Sequence, residues 1–533
     1  MSSLVKRICL SLPLAAATVL LVMAAGRGHR VVCAAGGTPS ETAASAGQDD
    51  PLRFPKDAYT IETRTVRTSH GERVVTYRSY RHVPYVAKPV DKDYQSLDVN
   101  VPVQVDGAAV DASKAPILFS VPVGGYMSAR NADPLAGGGR AGGPPAGAQP
   151  PGAAGRGGRA SGPGGGSNVS RNTDLALAAG YVVVTPGVRG RDNQAADGSY
   201  YGKAPAAIVD LKAAVRYLRH NAGVLPGNVD WIVATGVSAG GALSALLGAS
   251  GNSPLYDAHL TEIGAANAGD AVFASAPFCP IMDLDHADMA YEWMYGTAPT
   301  RSGALVDQDL STQLKDAFTA YQASLKIRGR NGFGLIAAGN YASYLLQTYL
   351  FPAATKYLKG MPDERRQEYL NNNKWITWTD RGARFAFADY VAHVGRMKGL
   401  PAFDDFDLKQ PEPNVFGNRT TDSRHFTNFS LRRATGNPDA SIDGGLQAVV
   451  NLMNPMYFLG ENDKGITGHW WIRTGSSDAH TSLTVFGNLA ASLENRKKNV
   501  NALLYWDAGH GADEDAEDFI AWIGRITGFA GRQ

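Results

Sequence analysis

From residue 53 onward the chain alternates short, wholly apolar runs with stretches in which apolar positions return every three or four residues. Val74–Tyr77 and Leu97–Val101 open this part as strand-like runs, and the uninterrupted Ile117–Val121 runs out at Gly124-Gly125. Tyr181–Thr185, Trp231–Thr235, Val272–Ala276, Trp470–Arg473 and Ala502–Trp506 predict further buried strands. Ala206–His220 places Ile208, Leu211, Ala214, Val215 and Leu218 at helical spacing, and Asp515–Ile526 predicts a closing helix. Strands apolar on both faces and alternating with helices belong in a mostly parallel sheet with helices on both sides.

The rhythm breaks twice. Between about residues 290 and 440 the chain turns aromatic (Trp293, Tyr344, Trp375, Trp378, Phe385, Tyr390) and helical, then proline-rich near Pro401, Pro411 and Pro413. That interval reads as a lid domain inserted between two strands, dividing the sheet-forming part into 53–289 and 441–533. Residues 136–167 hold 14 Gly, 7 Ala, 5 Pro and 3 Arg, with no acid and no aromatic. Such a tract buries too little apolar surface to offset its ordering entropy, so it reads as a disordered surface insertion.

At the N-terminus, Lys6 and Arg7 precede an apolar run from Ile8 to Ala25 with small residues at Ala24 and Ala25. Residues 1–35 therefore read as a secretory signal peptide, and 36–52 as a flexible leader. Arg27 and Arg30 follow the run, which leaves an uncleaved N-terminal anchor open, with no other membrane contact expected. The protein is expected to be exported. Removal of the segment would take Cys9 and Cys33 with it, leaving Cys279 alone and no disulfide framework. Cys279 lies in the apolar run that begins at Val272, and its expected role is core packing. With 51 Lys plus Arg against 49 Asp plus Glu, the net charge of +2 offers no electrostatic footprint for nucleic acid. No motif calls for a cofactor or a metal, and oligomeric state leaves no signature.

Gly236-Val237-Ser238-Ala239-Gly240 matches G-x-S-x-G between a buried strand and a small-residue helix, the setting of a nucleophile elbow. The helix N-terminus would offer the Ala239 N–H, and the positive end of its dipole, to an oxyanion. A serine nucleophile needs a base and an orienting acid, in the chain order Ser, acid, His. Of 11 histidines, His510 is the one in the loop after the last strand, and Asp478 lies in the loop after the strand before it. Asp507, Asp513, Glu514 and Asp515 flank His510 too closely to orient its ring and are expected to be solvated. Gly124 and Gly125, after Ile117–Val121, fit the loop that supplies a second oxyanion donor.

Gly202–Arg219, Ser238–Gly251, Cys279-Pro-Ile-Met-Asp-Leu-Asp-His-Ala-Asp288 and Leu452-Met-Asn-Pro-Met456 resemble the bacterial tannases of the smaller subtype (subtype B) over residues 53–530, the Gly-rich tract excepted. The resemblance implies an α/β-hydrolase fold with a large inserted lid, hydrolysing galloyl esters through a Ser-Asp-His triad. It carries the triad onto Ser238, Asp478 and His510, as the motif reading does. It also implies that ring hydroxyls are read by a lid Lys and a lid Glu, matched here by Lys398 and Glu412, and by an Asp at position 480. Residue 480 is His in this chain, a hydrogen-bonding group but no permanent anion. The leading expectation is a serine esterase of small-molecule galloyl esters. Esterases of ferulate or other phenolic acids, and a non-catalytic binding protein on the same scaffold, are the alternatives.

Overall fold

The computed structural model describes residues 50–130, 168–461 and 464–530; the expected signal peptide and the Gly-rich tract lie outside the described residues. Asp50 and Leu52, at the end of the expected leader, are already tied to the folded part, Asp50 at its surface. Leu52 is buried and its carbonyl accepts from Asn221, while Asp50 meets His220 at 2.7 Å.

Ten strands form the main sheet. β1 (Thr60–Thr68), β2 (Gly71–Pro84) and β3 (Ser96–Val105) are an antiparallel edge, with β4 (Ala108–Ala109) turning back on β3. β5 (Ile117–Val121), β6 (Val182–Pro186), β7 (Ile232–Val237) and β8 (Ala274–Phe278) are parallel. After an insert bearing two small hairpins, β9–β10 (Arg328–Gly329, Gly334–Leu335) and β11–β12 (Thr377–Thr379, Gly382–Arg384), β13 (His469–Gly475) and β14 (Asn499–Tyr505) complete the parallel part. The order is β1-β2-β3-β6-β5-β7-β8-β13-β14, which puts β7 near the middle.

The apolar runs are continuous because both faces of these strands are covered. Val182 and Val184 join the core on one side and Val183 the core on the other; Ile232 and Ala234 alternate with Val233 in the same way. α1 (Asn168–Ala178) and the closing helix Ala516–Thr527 cover one face, and α2 (Ala206–His220), α3 (Ala239–Ala249) and the helix Leu483–Asn495 cover the other. Each fully buried large apolar side chain contributes about 1.5–3 kcal/mol. β1 escapes an apolar reading because Thr60–Thr68 is polar and mostly exposed, held by its ladder to β2. Among the described residues, no helix is long and apolar enough to cross a membrane.

Candidate active site

β7 delivers Ser238 in a backbone conformation (φ 62°, ψ −120°) that L-residues seldom adopt. Strain of this kind costs roughly 1–3 kcal/mol and persists only where the surroundings impose it. Here the Ser238 N–H donates to Phe278 O of β8 (3.0 Å), and its carbonyl accepts the Ala242 amide (2.9 Å). The turn closes so tightly that a Cβ on Gly236 would lie 2.5 Å from the Gly240 carbonyl oxygen. Ala239 begins α3, and its amide makes no hydrogen bond among the described residues, as expected in the first turn of a helix.

β13 and β14 bring the other two members of the relay together. Asp478 is buried in the loop after β13, and its Oδ2 lies 2.8 Å from His510 Nδ1. Its Oδ1 accepts the His480 amide at 3.0 Å. Burial alone would raise this carboxyl; the His510 bond and charge, with the His480 amide, outweigh it and hold the group below its ordinary value. With Nδ1 engaged, Nε2 is the ring nitrogen left to act as base, and His510 and Ser238 line one cavity, an arrangement that suits a nucleophile, base and orienting acid. Ser238 Oγ and His510 share that cavity wall without a direct hydrogen bond; such bonds are often long until the Michaelis complex forms.

Two acids near His510, Asp513 and Asp515, are not solvated as the sequence suggested, and a third, Asp507, is exposed but bonded. Asp507 accepts from Ser477 Oγ (3.0 Å) and meets His393 (2.8 Å), Asp513 accepts from Asn172 (2.8 Å), and Asp515 pairs with Arg473 (3.0 Å). Glu514, like Asp507, is exposed. The loop folds back on β13 and α1, so Asp513 and Asp515 answer the buried donors Asn172 and Arg473 there. Cys279 is buried as expected, but its neighbour is the relay itself: Sγ accepts the Gly511 amide (3.2 Å). Burial, then the Asp478 charge, pushes its thiol up to about 12.

The cavity, of about 530 Å³, is lined by Gly125, Tyr126, Ser238, Ala239, His480 and His510 together with Lys398 and Glu412. Of the two glycines expected in the oxyanion loop, Gly125 is on the wall and Gly124 is not. Gly124 instead closes a turn by accepting the Met127 amide (3.0 Å), and Tyr126 takes its place on the wall. Lys398 Nζ stands 4.0 Å from Glu412 Oε1 and 3.5 Å from the centre of the Phe403 ring. Glu412 Oε2 is buried without a hydrogen-bond partner. Burial raises the Glu412 carboxyl and lowers the Lys398 ammonium, each partly countered by the other's charge. The His480 ring stacks on His510 (centroids 4.1 Å apart, 28° between planes), and burial followed by the His510 charge lowers it to about 4, so it is neutral at pH 7. Tyr291, unmarked in the sequence, accepts the Met397 and Lys398 amides and donates to Ala479 O, tying the insert to the loop of Asp478.

Among the described residues, two clusters bring together groups that can ligate metals, Cys279/Asp478/His510 and Asp283/Asp285/His286. In the second, Asn454 donates to both carboxylates and His286 contacts Asp283 at 2.8 Å, so protein donors already answer the acids.

The family described as BD-FAE matches residues 165–320. The chain is 39% identical over 90 residues to Esterase LipQ and 43% identical over 68 residues to Esterase LipC, both of Mycobacterium tuberculosis. Those stretches span 17% and 13% of this chain, and only 20% and 17% of the two esterases. Among solved structures, the tannase of Fusobacterium nucleatum superposes with a TM-score of 0.74 at 35% identity, covering 90% of this chain and 100% of that one. The tannin acyl hydrolase of Lactobacillus plantarum gives a TM-score of 0.74 at 32% identity, covering 89% and 99%. A tannin acyl hydrolase in complex with ethyl gallate gives the same values.

Proposed function

The chain belongs to the tannin acyl hydrolases and is a carboxylic ester hydrolase, and on that premise we propose that it cleaves galloyl esters through an acyl-enzyme. Ser238 Oγ attacks the ester carbonyl while His510 Nε2 takes its proton, and Asp478 stabilises the imidazolium. The oxyanion is met by the Ala239 amide and the Gly125–Tyr126 turn. As the C–O bond breaks, His510 returns the proton to the departing alcohol. Water, deprotonated by the same imidazole, then releases the acid and restores Ser238.

The observation that carries the acyl preference is the buried Lys398–Glu412 pair on the cavity wall. Glu412 Oε2 lacks a partner and Lys398 Nζ rests over a ring, so a phenolic hydroxyl could donate to one and accept from the other. Tannin acyl hydrolases form complexes with ethyl gallate and with 3,4-dihydroxybenzoate, rings that carry such hydroxyls. A neutral His480 favours a second reading, in which one ring position carries a methoxy group, as in ferulate. Initial rates on methyl gallate, protocatechuate, 4-hydroxybenzoate and ferulate separate the two. The first reading requires gallate to lead, and a ferulate preference would replace it with the second. We also propose export, on the strength of Lys6-Arg7 and the apolar run Ile8–Ala25. N-terminal sequencing of protein recovered outside the cytoplasm tests it, and retention of the whole enzyme inside would refute it.

A further inference from the structure

The loop after β6 carries a cation that the reaction above does not use. Met127 N–H donates to Gly124 O, closing a turn whose two central residues, Gly125 (φ 56°) and Tyr126 (φ 57°), are both left-handed. Glycine accepts that conformation freely, but tyrosine does not, so the turn must be held. Both central carbonyls are bonded to one residue: Arg191 Nε donates to Gly125 O (2.8 Å), and the Arg191 amide donates to Tyr126 O (3.0 Å). Gly125 C=O and Tyr126 N–H belong to one planar peptide unit and point in opposite directions. Fixing the carbonyl on Arg191 therefore fixes the direction of the Tyr126 N–H, which makes no hydrogen bond among the described residues and belongs to a residue on the cavity wall.

The other side of the guanidinium reaches the insert. Arg191 Nη1 donates to Asn414 Oδ1 (2.9 Å), two residues beyond Glu412 on the short helix Pro411–Val415. Asn414 Nδ2 donates to Asp422 Oδ1 (2.6 Å), Asp422 pairs with Lys203 (3.0 Å), and Lys203 Nζ donates to Arg191 O (2.7 Å), which closes the circuit. We propose that Arg191 is a positioning residue that holds the oxyanion turn and ties it to the segment carrying Glu412, so that acyl-ring recognition and oxyanion geometry are set together. The fork is essential: Nε and Nη1 diverge at a fixed angle, and a lysine ammonium cannot span both carbonyl and amide in that geometry. The link to ring recognition rests on the phenolic-ester reading; the hold on the turn requires only that the enzyme cleaves esters.

The test measures kcat and KM for Arg191→Met, Arg191→Lys and Asn414→Ala in the full chain, on p-nitrophenyl acetate and on methyl gallate, with Tm alongside. Loss of an oxyanion donor costs about 100- to 1000-fold in kcat, so misdirecting one should cost roughly 10- to 100-fold. Arg191→Met and Arg191→Lys should both show this loss on both esters. Asn414→Ala should act chiefly through KM for methyl gallate. Guanidinium ion at millimolar concentration should restore part of the kcat of a fourth variant, Arg191→Ala, at unchanged Tm, which a purely structural role would not allow. Wild-type kcat on p-nitrophenyl acetate in Arg191→Met, or a lowered Tm with unchanged kcat per folded molecule, would overturn the proposal. If the wild-type enzyme ignored methyl gallate but cleaved the acetate, the phenolic reading would fail while the hold on the turn was still decided.

Discussion

Replacing Lys398 by methionine is the sharpest test of the ring-binding pair, because the structure ties two effects to that one change. At 4.0 Å the Lys398 and Glu412 charges attract by about 4 kcal/mol at an effective dielectric constant near 20. Lys398→Met removes that attraction and any charge-assisted bond from Nζ to a ring oxygen, worth about 1.5–3 kcal/mol. Glu412, already raised by burial and only partly restrained by Lys398, then rises further. A protonated Glu412 gains a donor and keeps only a neutral acceptor, so a phenol that donates to it loses the charge-assisted bond. The expected loss in kcat/KM on methyl gallate is about 2–4 kcal/mol, roughly 30- to 1000-fold, with little change on methyl benzoate. The variant's carboxyl deprotonates later than that of the wild type, so the ratio of variant to wild-type kcat/KM on gallate should rise with pH. The assay is steady-state kinetics on both esters from pH 5 to 8, with Glu412→Gln and the double variant closing the cycle. Because the two side chains act as a pair, the double variant should lose less than the sum of the singles. Equal losses on gallate and benzoate, or strict additivity, would show that Lys398 supports the fold and reads no ring.

Ser238→Ala and His510→Ala should each lower kcat by at least about three orders of magnitude, and the double variant should lose little more; additive losses would separate the two residues mechanistically. His480 is held near pKa 4 in the fold against an ordinary 6.5, so the folded state binds fewer protons and stability should fall as pH drops from 6.5 through 4, by at most about 3 kcal/mol. Denaturant midpoints of His480→Asn should be flatter across that window, and an unchanged slope would exclude the group. A Cβ on Gly248 would lie 2.7 Å from both the buried Trp470 ring and Ser275 Cβ, so Gly248→Ala should cost about 1–3 kcal/mol through overpacking despite its better helix propensity. A Tm equal to or above that of wild type would show that the indole moves aside.

The order of buried strands, and with it the chain positions of Ser238, Asp478 and His510, is legible in the sequence because it depends on local pattern. A strand buried on both faces must be apolar throughout, a sharp elbow needs small residues at Gly236 and Gly240, and functional loops follow strand ends. β1 is not legible in this way, since its stability comes from pairing with β2 and not from burial. What the three-dimensional fold alone decides is which distant groups meet. Residues 126, 191 and 414 converge at the oxyanion turn because the β5 and β6 loops and the Pro411–Val415 helix meet there. Asp513 and Asp515 look like surface acids until the donors from distant segments are in place. Cys279 reads as an ordinary core residue, although the crossing of β8 with the loop after β14 sets its sulfur against Gly511. Local pattern records whether a position is buried or extended. Pairing partners, cavity walls and shifted charges depend on contacts between segments far apart in the chain, and no single segment carries a mark of them.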